Sequence, residues 1–252
     1  EIMSRLSRML FCLFVALFVA EAYAYDEAAL AAHFNGCPNV AAGDCSYAML
    51  VDNNLAGVDL SGANLTGVYL SYVNLSGANL SGSVLIGVDF FQNNLTGADF
   101  TGADFSSAMI YQQDFRGSIL ENVNFSNADL NEANLSGMDI RTINLTGAAV
   151  GGSDLSGADL RGIQLDAVRI SSSNLSHAKL VGVDFRQILG GFYEVDFRLA
   201  DLSMTNLSGV PVADSLFSGA NFTGADISSV SFGYFVDFSE VNFTNANLSG
   251  SG

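Results

Sequence analysis

From Leu55 onward a large apolar residue returns at every fifth position: Leu55, Leu60, Leu65, Leu70, Leu75, Leu80. This register holds for 27 units up to Phe185. It resumes after a two-residue slip for nine units, Phe192 to Phe232, and after a one-residue slip for three more, Phe238 to Leu248. All 39 central positions are Leu, Phe, Ile or Val. A period of five fits neither ordinary element. On an α-helix five residues advance about 500°, so successive leucines share no face. On a flat strand an odd spacing sends them to opposite faces. All central residues can point inward only if the chain turns a corner once per unit and winds around a common axis. The expected fold is an all-β solenoid.

The rest of the unit follows from that geometry. In an extended segment the residue two before each central one shares its side, and it is small: Val58, Ala63, Val68, Val73, Ala78. One large and one small apolar side chain per unit therefore go inside. Asp or Asn, Ser or Thr, and Gly go outside, with Gly suited to corners that need φ > 0.

Ala63-Asn64-Leu65, Ala98-Asp99-Phe100 and Ala158-Asp159-Leu160 match the A(D/N)LXX signature, and from about Met49 the chain resembles the pentapeptide-repeat family. The resemblance implies a right-handed quadrilateral β-helix with four units, about 20 residues, per coil. With coils stacked at about 4.8 Å, 39 units would make a rod roughly 45 Å long. It does not by itself imply a function, since one fold carries many.

Ahead of the repeats the sequence changes character. Met3 is the expected start, with Glu1 and Ile2 as overrun. Arg5 and Arg8 form a basic flank, Met9–Ala20 an apolar core, and Ala22-Tyr23-Ala24 a cleavage site, so residues 1–24 read as a signal peptide. Twelve apolar residues are too few to span a bilayer comfortably, so an uncleaved anchor is the rival reading and no stable membrane span is expected after cleavage. Residues 25–48 read as an N-terminal cap. Asp26 to Gly36 has acids in its first turn, Ala and Leu in its body and an Asn-Gly stop, predicting a short capping helix over the open first coil. Cys37 and Cys45 flank a Pro- and Gly-bearing loop and, with Cys12 removed, are the mature chain's two cysteines. In an exported protein they read as a disulfide, with half a metal site or two free thiols as the rival readings. Residues 49–252 are the β-helix, still in register where the sequence stops. An open last coil around Leu248 would imply either a cap beyond Gly252 or a homodimer through that end.

Stacking at twenty residues turns the repeat into a map. Asn74, Asn94, Asp114, Asn134, Asp154 and Asn174 share one outward column. Glu121, Arg141 and Arg161 share another, beside Asp139 and Asp159. Large apolar side chains outside the inward register are the candidate interaction residues. Phe91 and Tyr111 lie twenty apart, with Tyr69 and Met109 in a neighbouring column. The two slips supply Ile188 and Leu189, and Tyr234 and Phe235, at positions where a solenoid expels extra residues. The alternative for each group is a plain bulge or covering contact with no ligand.

No catalytic motif is present: G-x-S-x-G, H-E-x-x-H, C-x-x-C and the P-loop are all missing. The calcium-binding nonapeptide is also missing, although Gly151-Gly152-Ser153-Asp154-Leu155 copies a part of it. No cofactor, metal or enzymatic activity is expected. The 26 acids and 9 bases give −17, and loss of Glu1, Glu21, Arg5 and Arg8 leaves that value unchanged. Such a surface repels nucleic acid and anionic lipid and attracts basic partners. The sequence therefore reads as an exported, non-enzymatic scaffold or interaction rod for a protein partner, in a periplasmic, thylakoid-lumenal or extracellular setting. Direct nucleic-acid binding is not expected. The family resemblance adds a second reading, an acidic DNA mimic that inhibits an enzyme such as gyrase, and an ice-binding solenoid is a third. The threonines Thr66, Thr96, Thr101, Thr146 and Thr223 do not align in the run that ice binding requires.

Overall fold

A computed structural model describes Leu50 and residues 54–252. The expected signal peptide, capping helix and Cys37–Cys45 disulfide fall outside these residues. The described chain forms two compact units: one runs up to Ile110 and includes Gly117–Asn124, the other comprises Tyr111–Arg116 and Phe125–Gly252.

Most pentapeptides make the same local structure, and Leu55 to Val58 shows why. The Val58 N–H donates to the Leu55 carbonyl at 3.2 Å, closing a four-residue turn. Its third residue, Gly57, sits at φ 69°, the left-handed conformation such a turn demands. The Asn54 side chain turns back, and its Oδ1 accepts the Ala56 N–H at 3.3 Å. The same bond recurs from Thr66 to Asn64, Ser136 to Asn134 and Ser156 to Asp154. Asp or Asn before the central residue therefore holds the corner, as short side-chain acceptors do in Asx turns.

With the corner fixed, the strand residues between corners are free to pair from coil to coil. In the first unit Leu55 N–H reaches the Asn74 carbonyl at 2.7 Å and Asn79 N–H the Val58 carbonyl at 2.9 Å. Parallel bridges there join Asn54 to Asn74 and Asn74 to Asn94. In the second unit they join Asp114 to Asn134, Asn134 to Asp154 and Asp154 to Asn174. Coils of 20 residues with one corner every five make each unit a four-sided parallel β-helix. Four short strands stand out: β1 (Tyr69–Ser71) pairs with β2 (Asp89–Phe91) in the first unit, and β3 (Phe192–Tyr193) with β4 (Val212–Ala213) in the second.

The two register slips lengthen single coils without breaking the stack. Asn174 bridges to Asp196 and Leu216 to Asp237, while the intervening pair Asp196–Leu216 keeps the normal spacing. The longest insertion ends at Gly190 and Gly191, both left-handed, and Gly191 lies against the Pro211 carbonyl.

The central residues fill both cores. Phe90, Phe100 and Phe105 meet edge to face at 5.3–6.0 Å in the first unit. In the second, Phe197 stacks on Phe217, and Phe217 on Phe238, at 5.0 and 5.3 Å. Each buried Phe contributes about 1.5–3 kcal/mol of transfer free energy, so the aromatic columns are a principal stabilising element. The small position two before the centre is buried as expected, but at one corner it is polar. Ser173 Oγ donates to the Val150 carbonyl at 2.6 Å, and Ser215 Oγ accepts from Val195 N–H at 3.1 Å. In the first unit Asn93 Oδ1 accepts from Val73 N–H at 2.7 Å.

Candidate functional site

Outside the core, large exposed side chains stand both at regular corners, as Leu199 and Met204 do, and where the coil leaves its regular pattern. In the first unit β1 and β2 carry them. Tyr69 and Met109 are exposed and lie two coils apart on the ladder Tyr69–Asp89–Met109. Phe91 is half-buried, its ring held edge-on by Tyr72 at 5.6 Å. Tyr72 itself is exposed and occupies the left-handed corner where the repeat usually places Gly.

In the second unit Tyr111 is exposed, and its hydroxyl donates to Glu132 Oε1 at 2.6 Å. Gln112 Nε2 donates to the other oxygen of Glu132, also at 2.6 Å. The Tyr111 bond, followed by the Gln112 bond, holds the Glu132 carboxyl below its usual range, and the same bond to Glu132 raises the Tyr111 phenol. Phe91 and Tyr111, expected from their spacing to share one patch, belong to different units. Further along, Leu189 and Tyr193 are about half exposed, and Tyr234 and Phe235 are 83% and 85% exposed. Ile188 is half-buried, its N–H bonded to the Phe185 carbonyl at 3.2 Å. Leu248 is exposed, and Phe232, Phe238 and Phe243 are half-buried.

Sequence reasoning passes over Tyr72 and Tyr193. Both stand one or two residues after a central position, where the repeat calls for Ser, Thr or Gly. A scan of those two positions for aromatic residues would have found them.

The charged surface is organised by short-range pairs. Arg116, Arg141, Arg161, Arg186 and Arg198 each clasp the Asp two residues earlier, through Nε and Nη2, with closest contacts of 2.6–2.7 Å. The arginines expected to form a column are thus committed within their own units, with one longer cross-coil contact of 4.0 Å from Arg141 to Asp159. The Arg141 bonds lower Asp139 to about 2, and the corresponding bonds lower Asp114, Asp159 and Asp184. Burial works to raise Asp196, yet Arg198 still brings it below its ordinary value. These carboxylates stay ionised at neutral pH and are unsuited to proton donation. Among the described residues no group of three or more His, Cys, Asp or Glu could hold a metal ion. Among the described residues no helix is long and apolar enough to cross a membrane.

A family model for pentapeptide repeats matches eight copies, over residues 50–85, 69–107, 114–147, 151–187 and 196–233. The chain belongs to the pentapeptide repeat family. Proteins of this family form right-handed quadrilateral β-helices and are generally structural or interaction proteins without catalysis. No curated protein matches the chain. Among solved structures it is similar to HetL, a pentapeptide repeat protein involved in heterocyst differentiation regulation from the cyanobacterium Nostoc. The identity is 23%, over 82% of this chain and 87% of that one, with a TM-score of 0.27. Trypsin-treated QnrB1, a plasmid-mediated fluoroquinolone resistance protein, is 21% identical over 82% and 89% of the two chains, with a TM-score of 0.31. A pentapeptide repeat protein from the Arabidopsis thaliana thylakoid lumen is 29% identical over 52% and 66%, with a TM-score of 0.15.

Proposed function

We propose that this pentapeptide repeat protein is an exported, non-enzymatic scaffold that binds a protein partner through its exposed aromatic side chains. The observation that carries the reading is the placement of Tyr234 and Phe235. The repeat buries ten central Phe residues from Phe90 to Phe222, yet these two rings stand almost fully in solvent at a register slip. Exposed clusters of this kind, rimmed by polar groups, mark protein contacts. Tyr69, Phe91, Met109 and Tyr111 offer further contacts on β1, β2 and the Glu132 pair, and Ile188 and Leu189 on the insertion. The export reading rests on residues 1–24 as a signal peptide and on residues 25–48 as a disulfide-bearing cap ahead of the β-helix of 49–252.

The net charge of −17 favours a second reading, a mimic of duplex DNA. The five arginine clasps interrupt the acidic columns and favour the scaffold. Photo-cross-linking tests the choice. A photoreactive amino acid at position 234 or 69 should capture one protein in the exported fraction, and the same group at Ser156 should not. Capture of a topoisomerase from every position supports the mimic, and no capture from any position overturns the scaffold. The mature chain should begin at Tyr25 and weigh two hydrogens less than its dithiol form.

A further inference from the structure

We infer that the β3–β4 face of the second unit is a docking surface for a basic segment of a partner protein, seated by Glu194, Asp214, Tyr193 and Phe235. The inference rests on the scaffold reading and names the chemistry of its partner. It begins from register. β3 and β4 pair with Phe192 opposite Val212 and Tyr193 opposite Ala213. Glu194 and Asp214 follow in the same register, and the Glu194 N–H reaches the Ala213 carbonyl at 3.2 Å. Their backbones are therefore about 4.8 Å apart on neighbouring coils. The next coil continues the column, because Asp214 N–H donates to the Tyr234 carbonyl at 2.9 Å.

Two carboxylates thus sit on adjacent rungs with Tyr193 on one side and Tyr234 and Phe235 on the next rung. The two latter rings lie 6.4 Å apart at 49°. One oxygen of Glu194 accepts from Ser172 Oγ at 2.9 Å, which orients the carboxylate along the corner. Arg169 lies one coil earlier, on the ladder from Ala149. Arg186 and Arg198 are held by Asp184 and Asp196.

A lysine or arginine side chain fits this arrangement twice over. Its charged end meets paired carboxylates, and its stem and positive charge meet aromatic faces, where cation–π attraction adds to packing. An acidic segment would meet Glu194 and Asp214 unpaired and be repelled. The strand edges are already paired between coils, so side chains and not an added strand must make the contact.

Fluorescence anisotropy tests the surface with a short labelled peptide alternating arginine and leucine, and a counterpart with glutamate in place of arginine. Only the arginine peptide should bind. The double change Glu194→Gln with Asp214→Asn, and separately Tyr234→Ala with Phe235→Ala, should each weaken binding about tenfold. Unchanged melting temperatures would show both variants folded, since all four side chains point to solvent or the corner. Equal binding of the two peptides, or full affinity in both variants, overturns the inference. If the arginine peptide fails to bind while position 69 still cross-links a partner, this surface falls and the scaffold stands. Peptide binding without any cross-linked partner leaves this chemistry in place and removes the scaffold.

Discussion

Substituting Gly191 by Ala places a methyl group where the chain has no room for one. A Cβ on Gly191 would approach the Pro211 carbonyl oxygen to within van der Waals overlap and lie 2.6 Å from Pro211 Cγ. That carbonyl cannot retreat freely, because it accepts the Phe192 N–H at 2.8 Å and so anchors β3. Gly191 also holds φ 75°, which costs an L-residue about 1–2 kcal/mol. Overpacking against backbone adds about 1–3 kcal/mol. The expected loss for Gly191→Ala is therefore about 2–5 kcal/mol, or roughly 5–15 °C for a cooperative unit of this size. Gly190 supplies the control. Its φ is 87° but nothing lies within 4 Å of its added Cβ, so Gly190→Ala should lose only about 1–2 kcal/mol. Differential scanning calorimetry on both variants measures the contrast. Equal melting temperatures would falsify the close approach of the insertion to Pro211 as the cause.

Leu135 is fully buried and Ser136, one residue on, faces outward. Leu135→Asp should cost several kcal/mol by burying a charge, and Ser136→Asp less than about 0.5 kcal/mol, with matched chemical denaturation curves as the check. Ser83 is buried with an unbonded hydroxyl, so Ser83→Ala should be neutral or stabilising by about 1 kcal/mol, whereas Ser173→Ala loses the bond to Val150 and should destabilise by a similar amount. Asp139 should titrate near 2 by carbon-detected NMR. Because its folded value lies below the unfolded one, its stabilising contribution is present above about pH 4 and fades as pH falls towards 2. Arg141→Gln should return Asp139 towards the ordinary value, and an Asp139 that already titrates there in the parent would contradict the clasp.

The inward set was legible because a spacing of five leaves a single solution, and Leu55 through Val230 follow it. The corner chemistry was less so. The sequence marks Asn64 and Asp154 as outward and polar, but not that each carboxyl or amide oxygen turns back on its own corner, because a pattern of residue types does not show which way a side chain turns. The Arg141 and Arg161 placement shows the same limit. Twenty-residue stacking puts them in one column, while a two-residue reach to Asp139 and Asp159 satisfies each guanidinium more cheaply in side-chain entropy. Ala167, Leu199 and Met204 adopt left-handed φ although none is Gly. The corner is imposed by the stack on both sides of it, so local preference is overridden. For the candidate contacts, position in the register located Tyr234 and Phe235 but could not give their exposure, and Phe91 is partly covered by Tyr72, which no spacing rule would supply.

The corner amides also give the surface a direction. Asn124 donates to Asp104, Asn174 to Asp154, Asn221 to Asp201 and Asn247 to Asp226, at 2.8–3.1 Å. In each case the later coil gives the hydrogen and the earlier coil takes it, as Asn74 also does towards Asn54 and Asn94 towards Asn74. An Asp can head such a pair but cannot be its lower member, since a carboxylate has no hydrogen to offer. Acid and amide are therefore not synonyms in the repeat. Alternating them lets negative charge accumulate along a column without placing two carboxylates in contact, and Asp139 over Asp159, where that order lapses, is where Arg141 and Arg161 enter. A coil transplanted into a new position would have to match its neighbours in this donor–acceptor order as well as in its core.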